Sequence, residues 1–261
     1  MNLLIVNGYD KLGWSKLAKY KIQPICEFYS DQLKKINSKI KATFIYPSID
    51  LKSTFDDSFF HSFDGMIWTG SSLNIYDNTN EIKNQISLMK KVSKLPIKIF
   101  GSCWGMQLYT VCNGGVVSKN IKGREIGISF NISLNNKGKG HPMYNQKPII
   151  FDAFASHIDH VTTLPKKASA LSDNHYSIQS LSNKNFWGTQ YHPEFNFQYT
   201  GQILNARKKI LLKEKLFSNN QLKNLISSFK NPSKDSYSRS LMDFKIRTSE
   251  LANWLNYIKN N

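Results

Sequence analysis

The chain has 261 residues, 40% of them hydrophobic, which is enough to bury a substantial core, and no run of about 18 apolar residues predicts a membrane span. Lysine and arginine number 35 against 18 aspartate and glutamate residues, giving a formal net charge of +17. Because the lysines are spread along the chain, without an arginine cluster or a helix-turn-helix, zinc-finger or RNP motif, the charge does not predict nucleic-acid binding.

Short apolar strands alternate with helical patterns in the first hundred residues. The pattern predicts a loop or short helix over 9–23, helices over 24–36 and 80–94, and four strands, Leu3–Val6, Thr43–Tyr46, Asp64–Trp68 and Pro96–Phe100. This alternation favours an α/β fold with a doubly wound, mostly parallel sheet. Ligands of such sheets bind beyond the carboxyl ends of the strands, where Gly70-Ser71 and Cys103 follow two of the predicted strands.

The segment Phe100–Gln107 organises the rest of the chain. A strand enters it, a Gly-x-Cys-x-Gly turn carries Cys103, and an apolar helical pattern leaves it, which is the layout of a nucleophile elbow. Gly101 and Gly105 fit that turn because a side chain on either would collide with a neighbouring strand or helix. The cysteine would stand at a helix N-terminus, whose dipole favours a thiolate. The alternative is a buried structural cysteine in a glycine-rich turn.

Beyond the elbow helix the pattern changes twice. Residues 114–195 contain short β-like segments separated by polar turns such as 135–138, and these predict antiparallel strands that complete the same domain: Ile126–Leu134, Ile149–Phe154, Ala168–Leu171, Tyr176–Leu181 and Phe186–Tyr191. Residues 201–261 are lysine-rich and helical, with a break at Lys230–Ser233. We expect one domain over 1–200 and a helical C-terminal extension over 201–261 that packs on it.

A cysteine nucleophile needs a base and a group that orients the base. His192 and Glu194, separated by Pro193, provide both residue types. If this segment is extended, the two side chains point to the same side, so that the carboxylate holds one imidazole nitrogen while the other faces the sulfur. Taken alone, such a pair is more often a strand-end histidine beside a surface glutamate, and the elbow is what favours the functional interpretation.

An oxyanion hole is also required. The backbone amide of Trp104, directly after the cysteine, is one natural donor. A second should come from another strand-end loop, and Gly70-Ser71 is the obvious source because glycine lets the backbone approach a ligand closely. Read alone, Thr69–Ser72 is an ordinary turn.

Four segments together resemble a class I (triad-type) glutamine amidotransferase, and most of all the stand-alone proteins similar to the glutaminase domain of GMP synthase: Gly101–Gln107, Thr69–Ser72, Ser156–Val161 and Gly188–Phe195. The resemblance covers residues 1–200 with the motifs in the family's order, and Arg247–Leu255 resembles a C-terminal signature of the stand-alone proteins. It implies a flavodoxin-like fold.

The resemblance also implies roles for individual residues. Cys103 is then the nucleophile, His192 the general base and acid, and Glu194 its orienter. Gln107 matches the glutamine-contacting residue of the elbow motif, and the loop with Ser156, His157 and Asp159 borders the substrate pocket. The implied reaction converts glutamine to glutamate and ammonia through a γ-glutamyl thioester. Many relatives have a proline in the oxyanion loop where this chain has Ser72, so a less rigid loop could leave the hole unformed until a partner or ligand binds.

The sequence leaves open which molecule accepts the ammonia and which of three functions the chain has. About 60 residues follow the triad and the chain has no GxxxxGK[ST] phosphate loop, so we expect either a synthetase that accepts ammonia in trans or a free-standing hydrolase. The second function is a γ-glutamyl hydrolase or peptidase that acts on small γ-glutamyl amides. A third, of another class, is a non-catalytic regulatory or binding module.

The remaining expectations concern compartment and cofactors. The N-terminus lacks a basic leader and predicts a strand instead of a signal peptide. The three cysteines, at irregular spacing and without a CxxC pair, favour a reducing cytoplasm and predict neither disulfides nor a metal site. No cofactor is expected.

Overall fold

A nine-stranded mixed sheet organises the chain, and a separate two-stranded ribbon lies beside it. The structure is a computed structural model that describes residues 1–50, 55–233 and 235–260. Its strands are β1 (Asn2–Val6), β2 (Lys41–Ile45), β3 (Gly65–Trp68), β4 (Ile99–Ser102), β5 (Val116–Lys119), β6 (Glu125–Leu134), β7 (Ile150–His157), β8 (Asp159–Thr163), β9 (Ser169–Asp173), β10 (Ile178–Asn183) and β11 (Phe186–Thr189).

Helices flank the sheet on both faces. They are α1 (Lys11–Ala18), α2 (Ile25–Ile36), α3 (Asp57–His61), α4 (Asn80–Val92), α5 (Trp104–Cys112), α6 (Asn136–Lys139), α7 (Phe197–Ala206), α8 (Lys208–Lys213), α9 (Asn219–Lys230), α10 (Arg239–Met242), α11 (Phe244–Arg247) and α12 (Ser249–Asn260), with a 3₁₀ turn at Pro142–Tyr144. Within the described ranges, none of these helices is long and apolar enough to cross a membrane.

The strand order confirms the predicted fold class. Strands β2, β1, β3, β4 and β11 are parallel neighbours, in the 2-1-3-4-5 order of flavodoxin-like sheets. Strands β10, β9, β6 and β7 then extend the same sheet with antiparallel pairing. The carboxyl ends of β1, β3 and β4 therefore lie at one edge, and the loops that follow them meet there.

Each face of the sheet has its own apolar core. Alternation along β1 sends Leu3 and Ile5 to one face and Leu4 and Val6 to the other. The first face is covered by α2 and by helices that follow residue 200, and there the Trp254 ring of α12 packs edge-on against Phe100 with centroids 6.0 Å apart. The second face is covered by α4 and α5. The C-terminal helices thus pack directly behind the strand that leads to the elbow.

The structure differs from the predicted elements at a few short segments and in the direction of β11, which was expected among the antiparallel strands but pairs in parallel with β4. The sequence pattern missed α3, β5 and β8, which have four or five residues each and are too short for a clear periodicity. The predicted turn at 135–138 forms the single-turn helix α6, because the Asn135 side chain accepts a hydrogen bond from the Gly138 amide and caps it. Strand β4 begins at Ile99 instead of Pro96.

Candidate active site

The elbow forms between β4 and α5 and holds Cys103 in a strained conformation. Its φ of 50° and ψ of −98° lie where side chains are rarely found. A Cβ on Gly101 would lie 2.7 Å from the carbonyl carbon of Gly105, and a Cβ on Gly105 would lie 2.6 Å from the carbonyl oxygen of Trp68. These distances confirm the predicted reason for both glycines. They also show that the helix and the neighbouring strand hold the turn tightly enough to sustain the strain.

His192 and Glu194 meet through a turn and not along a strand. Strand β11 ends at Thr189, and the Phe195 amide donates to the His192 carbonyl at 3.2 Å, which closes a four-residue turn with Pro193 at its second position. The extended segment expected from the sequence is therefore wrong. The pairing itself is present, with Nδ1 of His192 2.7 Å from Oε1 of Glu194.

A second layer of hydrogen bonds holds these groups. Ser102 Oγ donates to Oε2 of Glu194 at 3.1 Å and lies 2.9 Å from the Tyr29 hydroxyl. On the other side of the sulfur, Nε2 of Gln190 lies 3.5 Å from Sγ of Cys103. All of these side chains are buried, so their orientations are fixed by protein contacts and not by solvent.

The charge state of His192 follows from two opposed effects. Burial lowers its pKa, but the Glu194 carboxylate and the contacts with Cys103 raise the pKa by a larger amount, so that it lies at about 9. The imidazole is therefore protonated at neutral pH and carries a proton directly beside the sulfur. Such a group can hold a thiolate as an ion pair and later give its proton to a leaving amine.

The three backbone amides expected to form the oxyanion hole are available as donors. Those of Trp104, Gly70 and Ser71 make no hydrogen bond to other groups within residues 1–50, 55–233 and 235–260. Gly70 lies against the imidazole, because a Cβ there would be 2.7 Å from Cε1 of His192. Hydroxyl groups steady this loop in place of the missing proline, since Thr69 Oγ1 accepts from the Gly8 amide and donates to the Gly70 carbonyl.

The residues expected to contact the substrate line one cavity with Cys103. Gln107 donates through Nε2 to the Asp159 carbonyl at 2.9 Å and to Gln190 Oε1 at 3.2 Å, so its own carbonyl oxygen is the group left for a ligand. Ser156 Oγ is buried without a hydrogen-bond partner among the described side chains and backbone. An unsatisfied hydroxyl in a cavity wall is the kind of group that a ligand completes.

His157 and Asp159 are more strongly tied to the protein. Nδ1 of His157 lies 3.2 Å from the Asp159 carbonyl, and Nε2 lies 3.0 Å from Oε2 of Glu125, within ion-pair distance but without hydrogen-bond geometry. The Tyr76 hydroxyl donates to Oδ1 of Asp159, and burial raises the pKa of that carboxyl. The second carboxylate oxygen of Asp159 is therefore the polar group that this pair can offer to a cation.

The cavity has a volume of about 610 Å³, and its charged lining residues come from two regions of the chain. The glutamyl wall is formed by Gln107 with the loop 156–159 and carries Lys119, Arg124 and Asp159. The cationic wall is formed by α1 and the α7–α8 junction and carries Lys16, Arg207 and Lys209, with Glu214 directly after α8 paired to Arg124. Sequence reasoning assigned no role to the cationic wall, because no local motif marks residues of a C-terminal helix as neighbours of the elbow.

The sequence also did not identify Tyr9 and Gln190 as residues of the site. Tyr9 follows the carboxyl end of β1, the position where ligands of parallel sheets bind, and that signal could have found it. Burial raises the pKa of its hydroxyl, whereas the Arg207 guanidinium that contacts it lowers the pKa. Gln190 lies inside the Gly188–Phe195 motif, and only the fold shows that its amide reaches the sulfur.

Comparison with known proteins is consistent with this geometry. The family model described as glutamine amidotransferase class-I matches residues 29–210. The γ-glutamyl-L-1-hydroxyisopropylamide hydrolase of a Pseudomonas species is 27% identical over 99% of this chain and 93% of its own length. A glutamine-hydrolyzing GMP synthase of Borrelia garinii subsp. bavariensis is 32% identical, but over 54% of this chain and 25% of its own. The crystal structure of a glutamine amidotransferase from Thermotoga maritima superposes with a TM-score of 0.71 at 16% identity, covering 100% of this chain and 99% of that one.

Proposed function

This chain belongs to the class I glutamine amidotransferase family, and we propose that it hydrolyses the amide bond of glutamine or of another γ-glutamyl compound through a thioester on Cys103. The observation that carries the proposal is the buried set of Cys103, His192 and Glu194 at the edge of a cavity. No cofactor takes part in the steps we propose. The three free cysteines fit a reducing cytoplasm, which we propose as the place of action.

Acylation needs a nucleophile, an acid and an oxyanion hole. The Cys103 thiolate attacks the γ-carbonyl carbon, and the backbone amides of Trp104 and of Gly70 or Ser71 stabilise the oxyanion. The C–N bond breaks as the imidazolium of His192 gives its proton to the leaving nitrogen. The products of this step are a γ-glutamyl thioester and a free amine, or ammonia when the substrate is glutamine.

Deacylation uses the same groups in the opposite sense. His192, now neutral and held by Glu194, takes a proton from water, whose oxygen attacks the thioester carbonyl. The C–S bond breaks, glutamate leaves, and the protonated imidazole again faces the thiolate. Glu194 fixes the ring through Nδ1 and stabilises its charge, and Ser102 in turn fixes Glu194.

Two candidate functions share this chemistry. A glutaminase that passes ammonia to a synthetase in trans is supported by the similarity to the glutamine-hydrolyzing part of GMP synthase. A γ-glutamyl hydrolase that works alone is supported by a relative that aligns over nearly its whole length and by the large cavity. Pockets of about 300–1,000 Å³ bury ligands of drug size, so this cavity has room for a leaving group larger than ammonia. The cavity therefore favours the γ-glutamyl hydrolase.

The test is release of glutamate by the purified protein from glutamine and from a panel of γ-glutamyl amides, with Cys103→Ala as the blank. We expect turnover that the blank lacks, and a covalent γ-glutamyl adduct of Cys103 in mass spectra of acid-quenched reactions. Turnover retained by Cys103→Ala would refute the nucleophile. Absence of both turnover and adduct for every compound would support the non-catalytic module instead.

A further inference from the structure

The second wall of the catalytic cavity is unusually cationic. Lys16, Arg207 and Lys209 line it, and no ion pair joins any of them to a carboxylate within the parts of the chain that the structure describes. Two carboxylates, Glu214 and Asp159, line the cavity against five cationic side chains, Lys16, Lys119, Arg124, Arg207 and Lys209. Glu214 accepts two hydrogen bonds of 2.8 Å from Arg124, and Asp159 accepts one from Tyr76. The cavity therefore has a surplus of positive charge that protein groups do not neutralise.

The cationic wall and the groups expected to hold the glutamyl half of a substrate come from different segments of the chain. The groups expected to hold the glutamyl half lie together on the glutamyl wall, where Gln107 bonds directly to the Asp159 carbonyl. The cationic wall comes from other segments of the chain, and Tyr9 links it to the sulfur, because Tyr9, Arg207 and Cys103 line the same cavity and the Tyr9 hydroxyl interacts with both side chains. A substrate with its glutamyl half on the glutamyl wall and its γ-carbonyl at the sulfur would leave the cationic wall for its leaving amine.

We propose that this wall is a subsite for an anionic leaving group, and that the preferred substrates are γ-glutamyl amides whose amine carries a carboxylate, as in a γ-glutamyl dipeptide. This inference rests on the proposed function. Arg207 is the residue that contributes most, because it is half-buried whereas Lys16 and Lys209 are exposed. A guanidinium binds a carboxylate through two parallel hydrogen bonds, and burial strengthens such a pair.

The bond changes are those of the proposed reaction. The C–N bond of the γ-glutamyl amide breaks, the imidazolium gives its proton to the amine nitrogen, and the amino acid leaves with its carboxylate intact. Water then supplies the hydroxyl of glutamate and returns a proton to the imidazole. The cationic wall binds the carboxylate in the substrate and in the departing product, and forms no covalent bond.

The experiment compares two substrates of equal size, γ-glutamylglycine and γ-glutamylglycinamide, which differ in the charge of the leaving amine. We expect the wild-type protein to prefer γ-glutamylglycine in kcat/KM. Arg207→Gln should reduce this preference by about tenfold or more, the effect of losing a hydrogen bond to a charged group, mainly through KM. Arg207→Lys should retain much of it. Lys208→Gln removes the same charge one position along the chain, outside the cavity lining, and should leave the preference unchanged.

Each outcome separates the subsite from the proposed function. Equal cleavage of both dipeptides by the wild type, cleavage of glutamine alone, or an equal loss on both substrates in Arg207→Gln would overturn the subsite and leave the hydrolase standing. The equal loss would mean that Arg207 binds the glutamyl carboxylate or only supports Tyr9. Absence of turnover and of a Cys103 adduct with glutamine, with both dipeptides and with the wider panel of γ-glutamyl amides would overturn the proposed function, and the subsite with it.

Discussion

Replacing Glu194 with glutamine tests how the triad is held together. The amide oxygen of the new side chain can still accept a hydrogen bond from Nδ1 of His192, so the ring keeps its position but loses the neighbouring charge. Burial, which lowers the pKa of the imidazole, is then opposed only by the contacts with Cys103. We expect the pKa of His192 to fall from about 9 towards or below its ordinary value of 6.5.

The size of the effect follows from that difference. At about 1.4 kcal/mol per pKa unit, a fall from about 9 to 6.5 removes about 3 kcal/mol of preference for the imidazolium. If that preference is lost in full, kcat/KM at neutral pH falls on the order of 10²-fold. Cys103→Ala, which removes the proposed nucleophile, should lose all activity.

The assay is glutamate release measured from about pH 5 to pH 10, where a shifted acid or base moves one limb of the profile. The alkaline limb of the wild type should lie near pH 9 and should move to lower pH in Glu194→Gln. Glu27→Gln, the same change at an exposed position, is the matched control. An unshifted profile with near wild-type rates would refute the role of Glu194, as would a complete loss equal to that of Cys103→Ala in a normally folded protein.

The same pKa difference predicts a pH-dependent stability. Because the imidazole of His192 has a raised pKa in the folded chain, its stabilising contribution is complete below the unfolded value near 6.5 and is lost as the pH rises through about 9. The wild type should therefore exceed Glu194→Gln in free energy of unfolding by more at about pH 6 than at about pH 10. Urea titrations at the two pH values measure this, and a difference that grows with pH would contradict it.

Three further changes follow from the described contacts. The free energy of unfolding of Cys103→Gly, measured in urea, should exceed that of Cys103→Ala by about 1 kcal/mol, because glycine tolerates the positive φ. Equal stabilities would mean that the elbow is unstrained. Gly70→Ala should lower kcat/KM by at least about tenfold because its Cβ would push the triad imidazole, whereas Gly140→Ala, with nothing within 4 Å, should not; equal rates would place the loop farther from the ring. Lys147→Met should lower the free energy of unfolding, measured in urea, by about 3–5 kcal/mol because it leaves the Glu250 carboxylate buried and unpaired. Adding Glu250→Gln should restore most of that free energy.

The sequence predicted the parts of this site that depend on neighbours in the chain. A strand, two glycines and a helix around Cys103 are local features, and the close approaches at Gly101 and Gly105 are the physical reason for the pattern. The alternation of strands and helices in the first hundred residues also predicted that the first strands are parallel, because a strand–helix–strand connection places the second strand parallel to the first. The elbow could be predicted because the residues that shape it lie within a few positions of Cys103.

The rest of the site depends on long-range packing, which leaves little local signal. Glu194 is fixed by Ser102, which is 92 positions away, and Ser102 is contacted by Tyr29, a further 73 positions away. The turn that joins His192 to Glu194 was missed because alternation alone cannot distinguish a strand end from a turn that begins at a proline. Arg207 lies in a segment whose pattern predicts only an amphipathic helix, and its place in the cavity appears only when that helix is packed.

The C-terminal helices act on the triad from two directions. Tyr191, the residue before His192, donates its hydroxyl to Oε1 of Glu250 in α12 at 2.7 Å, and Lys147 neutralises that carboxylate in a fully buried pair. A segment after residue 200 thus anchors the backbone that carries the His192 imidazole, while the α7–α8 junction supplies Arg207 to the cavity. A division of the chain at residue 200 separates two sequence patterns, but residues from both sides of that division form the site. Changes in the C-terminal helices should therefore alter turnover and substrate preference as well as stability.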